Sequence, residues 1–314
     1  MKHRFAGGFA RNAASRQTRA TPVVIWIKVA VAWATHDSGA LDSSRQVYML
    51  ELTVNIDIRE IDSTLIRFAF GLARQYDAHL TGLQIVSLDT TSLVLPDALI
   101  ALNEDEQDAH RRRDWWRELC RGHGVDGSWE VVRGYYQSVI ERQASLSDLM
   151  IGSLCTKDTF PLSGLGPLSR SLLSGGIPVL LVPEAWASDP GVRKVTIAWN
   201  GSVEAARAVK AALPLLRKAE KVMVLDGEDV SEAGRHRAPL PLRKWLERQD
   251  LPVQWQSIDP LRGNGRAIHE QAKSMEADLL VMGAWGHSRM SEWILGGITR
   301  HMLQHSEISL LLAH

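Results

Sequence analysis

The chain has 314 residues, 45% hydrophobic and 23% charged. This is a globular composition that excludes disordered, collagen-like and coiled-coil chains, and at about 150 residues per domain it points to two domains. Its 36 basic and 36 acidic side chains give zero net charge, which excludes a chain-wide polycation for nucleic acid.

The zero hides unequal blocks. Residues 1–46 carry 7 basic and 2 acidic groups, residues 47–184 carry 12 and 19, and residues 193–314 carry 17 and 14. Residues 1–21 hold no acidic group and precede an apolar run, Pro22 to Ala34, that is broken by Lys28. That run is shorter than the about 20 residues that span a bilayer, so no membrane segment is expected. The order imitates a secretory signal peptide, yet the chain beyond it reads as an intracellular α/β protein. Residues 1–46 are therefore set aside as a disordered or non-native extension, with Met49 as a candidate initiator. The two cysteines, Cys120 and Cys155, cannot build a disulfide framework or a four-cysteine zinc site, so a reducing cytoplasm is the expected compartment.

From Tyr48 onward strand and helix patterns alternate. Strands are expected at Tyr48 to Val54, Ala78 to Val86, Trp129 to Val132, Leu149 to Ile151 and Pro178 to Val182. Helices are expected at Ser63 to Tyr76, Glu104 to Arg121 and Tyr136 to Ala144. Arg111, Arg112 and Arg113 share their helix with Glu104, Asp105, Glu106 and Asp108, which makes a solvated, salt-bridged face rather than a nucleic-acid patch. Trp115 and Trp116 are adjacent, so one of them should point away from the main core.

A turn sequence, Asp189-Pro190-Gly191, then divides residues 47–184 from residues 193–314, with 185–192 as linker. The second part repeats the first. Strands are expected at Lys194 to Trp199, Val222 to Leu225, Val253 to Ile258, Leu279 to Met282 and Ile308 to Leu312. Helices are expected at Val203 to Leu216, Leu240 to Arg248, Gly265 to Met275 and Ile298 to His305. Ser147 to Gly152 matches Asp278 to Gly283 at an offset of 131, and Ile177 to Val182 matches Ile308 to Ala313 at the same offset. The nearly continuous apolar runs suit strands buried on both faces. The expected fold is α/β, two tandem doubly wound parallel five-stranded sheets.

In such sheets ligands bind beyond the carboxyl ends of the strands. Two loops of the second copy suit that crevice: Asn200-Gly201-Ser202 after its first strand, and Gly283-Ala284-Trp285-Gly286 after its fourth, followed nine residues later by Gly296-Gly297-Ile298-Thr299. Glycine loops and a helix start direct N–H groups at an oxyanion. His287, Ser288 and Arg289 stand ready to supplement them.

This G-x-x-G-(nine)-G pattern resembles the universal stress protein (UspA) family, over residues 47–314 as a tandem pair. The resemblance implies a Rossmann-like sheet of the adenine-nucleotide alpha-hydrolase type and a cytoplasmic, stress-associated protein. Family members often pair through the fifth strand, which a tandem chain can do internally as a pseudo-dimer, with a homodimer as a further option. It further implies an adenine nucleotide, ATP with magnesium, whose phosphates meet Gly283, Gly286, Gly296, Gly297, Ile298 and Thr299, with His287 and Arg289 beside them. Adenine and ribose would face Ala198, Asn200 and Gly201. Two positions depart from the family pattern: Gly297 stands where a Ser or Thr is usual, and Asn200 where an acid is usual. In the first copy Gly152 matches Gly283, but Cys155 and Leu165 stand at the positions of Gly286 and Gly296, so that copy reads as a structural partner.

The expected role is a nucleotide-responsive sensor or switch. No hydrolysis is assigned, for want of a Walker lysine, paired carboxylates or an activated nucleophile. The alternatives are a nucleotide-free scaffold with a vestigial crevice and an enzyme of the wider adenine-nucleotide hydrolase group. His301 and His305 lie four apart on a helix, but without an evident third ligand they read as a surface pair rather than a metal site.

Overall fold

In the first half β1 (Glu51–Asn55), β2 (His79–Ser87), β3 (Gly127–Gly134), β4 (Leu149–Leu154) and β5 (Val179–Pro183) alternate with α1 (Thr64–Tyr76), α2 (Pro96–Arg111), α3 (Arg113–His123) and α4 (Tyr136–Gln143). In the second, β6 (Lys194–Trp199), β7 (Lys221–Asp226), β8 (Val253–Ser257), β9 (Leu279–Gly283) and β10 (Ser309–Ala313) alternate with α5 (Val203–Ala211), α6 (Leu213–Lys218), α7 (Leu242–Glu247), α8 (Gly265–Ser274) and α9 (Gly297–His305). This computed structural model describes residues 49–56, 63–88, 96–154, 177–186, 191–227, 240–258, 265–284 and 297–314. The extension at 1–46 lies outside the described residues.

Each half is a parallel sheet, in the order β3-β2-β1-β4-β5 and its repeat β8-β7-β6-β9-β10. The two halves meet at β5 and β10, which pair antiparallel with Leu181 opposite Leu310, Leu180 opposite Leu311 and Val179 opposite Leu312. The two five-stranded sheets are thereby one continuous ten-stranded sheet.

Successive side chains on a strand point to opposite faces, so a continuous apolar run supplies two cores at once. Leu52, Val54, Leu149, Ile151, Leu279, Val281 and Leu311 pack on the face covered by α1, α3 and α5. Met150, Leu181, Leu280, Met282, Leu310 and Leu312 pack on the other, with Ile140, Ile268, Met302 and Leu303 from α4, α8 and α9.

This alternation corrects the repeat register. Leu149 and Leu279 lie on the same face, and each pairs with the first strand of its half, Leu149 with Leu52 and Leu279 with Val195. Asp148 accepts the Glu51 N–H at 2.8 Å, and Asp278 accepts that of Lys194 at 2.8 Å. Asp148 is thus the counterpart of Asp278, an offset of 130 for β4 against β9, while β5 against β10 keeps 131. A one-residue slip would put every side chain on the wrong face. Ser153, not Gly152, is the counterpart of Gly283.

Two expected helices are each broken in two. Val203 to Leu216 becomes α5 and α6, because Pro214 at the start of α6 has no N–H to continue the ladder. Glu104 to Arg121 becomes α2 and α3, interrupted at Arg112, whose guanidinium donates to Gln84 Oε1 at 3.2 Å. In the arginine run Arg111 pairs with Asp108, and further along α3 Arg117 pairs with Asp114. Neither tryptophan of α3 points away from the core. Trp116 is buried against Phe70 and Trp129, and Trp115 packs edge-on to Trp129 at 6.0 Å.

A clamp holds the halves together beside the seam. The Gln75 amide donates to the Val192 carbonyl and accepts the Val192 N–H, both at 2.8 Å, as a neighbouring strand would. Tyr76, next to it, donates its buried hydroxyl toward the Val192 and Leu215 carbonyls at 3.4 and 3.3 Å. Burial, and secondarily Asp278, pushes the Tyr76 phenol well above its ordinary range, so it remains a donor at any working pH.

Candidate functional site

The loop after β6 builds a turn that starts α5. Gly201 adopts a left-handed φ of 71°, and Asn200 Oδ1 accepts the Ser202 N–H at 3.1 Å. Ser202 Oγ in turn caps the helix by accepting the Ala205 N–H at 3.1 Å. Asn200 is exposed, and with its oxygen engaged locally, what it presents outward is the amide donor.

Gly283 closes β9 directly beneath that helix start. A Cβ placed there would lie 2.5 Å from the Ala205 nitrogen and 2.8 Å from the Glu204 carbonyl carbon. The missing side chain lets β9 approach the α5 backbone, on the face opposite α8 and α9. The structure therefore gives this glycine a packing reason that requires no phosphate.

A cavity of about 480 Å³ opens between α8 and α9, lined by Gly265, Arg266, Gly297, Ile298 and His301. Both helices begin here, so two positive dipole ends converge on it. The helices approach closely because Gly265 has no side chain: a Cβ there would meet His301 Cβ at 2.6 Å. Among the described residues, nothing lies within 4 Å of a Cβ added at Gly297. Arg266 is exposed and paired with Glu270 at 2.7 Å, a contact that surface screening makes cheap to exchange for another anion.

Three histidines stand along the α8–α9 contact. His301 stacks on His305 with ring centroids 4.6 Å apart and meets His269 edge-on at 6.4 Å. Burial, then Lys273, lowers the His269 pKa below its ordinary 6.5. Neutral His269 Nε2 accepts the Glu307 N–H at 3.4 Å, which the protonated ring cannot do. A histidine whose folded pKa is depressed binds fewer protons than the unfolded chain, so its stabilisation is present above about pH 6.5 and is lost as pH falls. The melting temperature should drop between pH 7.5 and pH 5.5, and His269→Gln should flatten part of that drop. An unchanged slope in the variant would remove His269 as its source.

Of the expected site residues, the structure brings Gly297 and Ile298 into the cavity, joined by Gly265, Arg266 and His301. Ala198 sits at the end of β6, paired with Met282 and packed partly against the α8–α9 face. Thr299 is buried at 5% exposure and is not among the residues that line the cavity. Gly286, His287, Arg289 and Gly296 lie outside the described residues, as do Trp285, Ser288, Cys155 and Leu165. Among the described residues no group of three metal-ligating side chains is found. None of the described helices is long and apolar enough to cross a membrane. Cys120 is buried, and burial, then Asp126, raises its thiol to about 11.

The sequence model of the universal stress protein family matches residues 261–314, the segment that spans α8, β9, α9 and β10. A universal stress protein from Archaeoglobus fulgidus DSM 4304 superposes with a TM-score of 0.60 at 14% identity, covering 83% of this chain and 97% of its own. A functionally unknown protein from Pseudomonas aeruginosa PAO1 superposes with a TM-score of 0.53 at 17% identity, covering 85% of this chain and 93% of its own. At these identities the likeness is one of fold. No curated protein matches the sequence.

Proposed function

We propose that this chain, a universal stress protein by the match over residues 261–314 and by its fold, binds an adenine nucleotide in its second half and uses it as a conformational signal. The observation that carries the reading is the cavity where α8 and α9 both begin, whose size suits a small-molecule ligand. Phosphates at Gly297 and Ile298 would meet two helix N-termini and the Arg266 guanidinium. The exposed Asn200 amide offers a donor for a ribose hydroxyl, and Ala198 leaves the strand end low. ATP with magnesium is the ligand the family motif favours. The groups around the cavity are donors and cations, which suits holding an anion and shifting its host between two states.

Gly297 supplies a clean test, because a side chain there meets no neighbour among the described residues. Full-length protein titrated calorimetrically with MgATP should bind, and Gly297→Asp should weaken binding at least about tenfold at unchanged melting temperature, since a carboxylate repels phosphate but suits a helix start. Gly297→Ser should tighten it by adding a hydroxyl donor. Absence of heat at millimolar MgATP in the unmodified protein would overturn the reading. A second reading, a nucleotide-free scaffold, is favoured by Gly283, whose missing side chain the α5 contact already explains.

A further inference from the structure

Resting on that reading's placement of phosphates in the cavity, we infer that His301 makes the site proton-linked: binding of a polyphosphate draws a proton onto its imidazole, so affinity rises as pH falls through the near-neutral range. Among the described residues, His301 is the one side chain titrating near neutral pH that both lines the cavity and sits in the α8–α9 contact. Its surroundings are cationic or potentially so. From its own helix it faces His305, and from α8 it faces His269 and Arg266, the latter paired with Glu270. Behind His269 stand Lys273 and Glu307, themselves paired at 2.6 Å.

In the free protein this setting disfavours the charged ring. Burial first, then His305 and Arg266, holds its pKa below 6.5. A polyphosphate in the cavity reverses the local balance, because several negative oxygens then face the ring and engage the positive helix ends and Arg266. Linkage is reciprocal: whatever raises the imidazole pKa on binding must strengthen binding on protonation, by tenfold for each unit of rise. The gain is confined between the bound and free pKa values. Above the first the ring is neutral in both states, and below the second it is charged in both.

The experiment titrates full-length protein and His301→Gln with MgATP and, separately, with inorganic tripolyphosphate, at intervals from pH 8 to pH 6. Circular dichroism checks the fold at each pH. Terminal phosphates also titrate here, but identically for both proteins, so the ratio of their affinities isolates His301. That ratio should grow by up to about tenfold toward pH 6. In the unmodified protein, proton NMR should show the His301 ring pKa moving up when tripolyphosphate is added, a readout that does not depend on the variant folding. Binding with a constant ratio and an unmoved ring would overturn the inference and leave the nucleotide reading standing. Proton-linked binding of tripolyphosphate without binding of MgATP would support the inference and overturn the nucleotide reading. No binding of either probe at any pH would overturn both.

Discussion

Gly283→Val is expected to lower the stability of the protein by about 3 kcal/mol or more, the upper end of the range for overpacking, because its Cβ would collide with backbone rather than with a movable side chain. The Ala205 nitrogen at 2.5 Å and the Glu204 carbonyl carbon at 2.8 Å belong to the first turn of α5. Relief requires that turn to lift, which breaks the cap from Ser202 and exposes Ala205 and Ala208, both buried on that face. In a chain of this size the melting temperature should fall by roughly 6–12 °C. Gly283→Ala should fall between the two, since it adds the same Cβ without the branches. Differential scanning calorimetry decides the matter. A Gly283→Val protein as stable as the parent that has lost only nucleotide binding would return this glycine to the ligand and remove the packing account.

Leu311→Lys is expected to have a larger effect still. Leu311 pairs with Leu180 across the β5–β10 seam, and both are fully buried. An ammonium at that position would have no water to solvate it and would stand in a cluster of buried hydrophobic side chains, so the seam must open or the lysine must enter neutral. Substitutions of this kind belong to the rare class costing more than about 4–5 kcal/mol. The purified protein should show an enlarged hydrodynamic radius and no cooperative melting, or should fail to accumulate in soluble form. Leu146→Lys is the matched control, because Leu146 is 90% exposed and its replacement should leave the melting curve in place. Retained cooperative melting in Leu311→Lys would mean that the halves hold together without the seam.

Much of this fold is written locally in the chain. The ten strands fall within a few residues of where the sequence pattern places them; for the inner ones the reason is that a strand buried on both faces has little freedom in composition. The caps at Ser63 and Ser202 and the turn at Asn200-Gly201 are likewise short-range signals. What escapes local reading is whatever depends on approach between distant segments. Gly283 reads as a loop glycine until α5 is seen above it. Gly265 and Arg266 announce nothing by themselves, and become part of a site only because α9 packs against the start of α8. His301 looks like one of a surface pair on its own helix, yet the third histidine and the cavity come from α8. The register of β4 against β9 is ambiguous because Gly152 and Gly283 match by identity while the faces of the strands demand Ser153. Of Trp115 and Trp116, one is expected to turn outward, yet Trp115 finds Trp129 on the neighbouring edge strand.

The seam carries a consequence for how such a chain can change. When two identical subunits meet through one strand, a two-fold axis obliges every residue to suit its own copy on the other side, so each substitution is made twice at once. Here the facing residues belong to different stretches of one polypeptide: Val179 lies opposite Leu312, and Leu181 opposite Leu310. Each side is therefore free to vary alone, a smaller side chain on one strand being matched by a larger one on the other. The same release from symmetry lets Ser153 stand in one half where Gly283 stands in the other, so that the close approach of β9 to α5 need not be repeated in the first half.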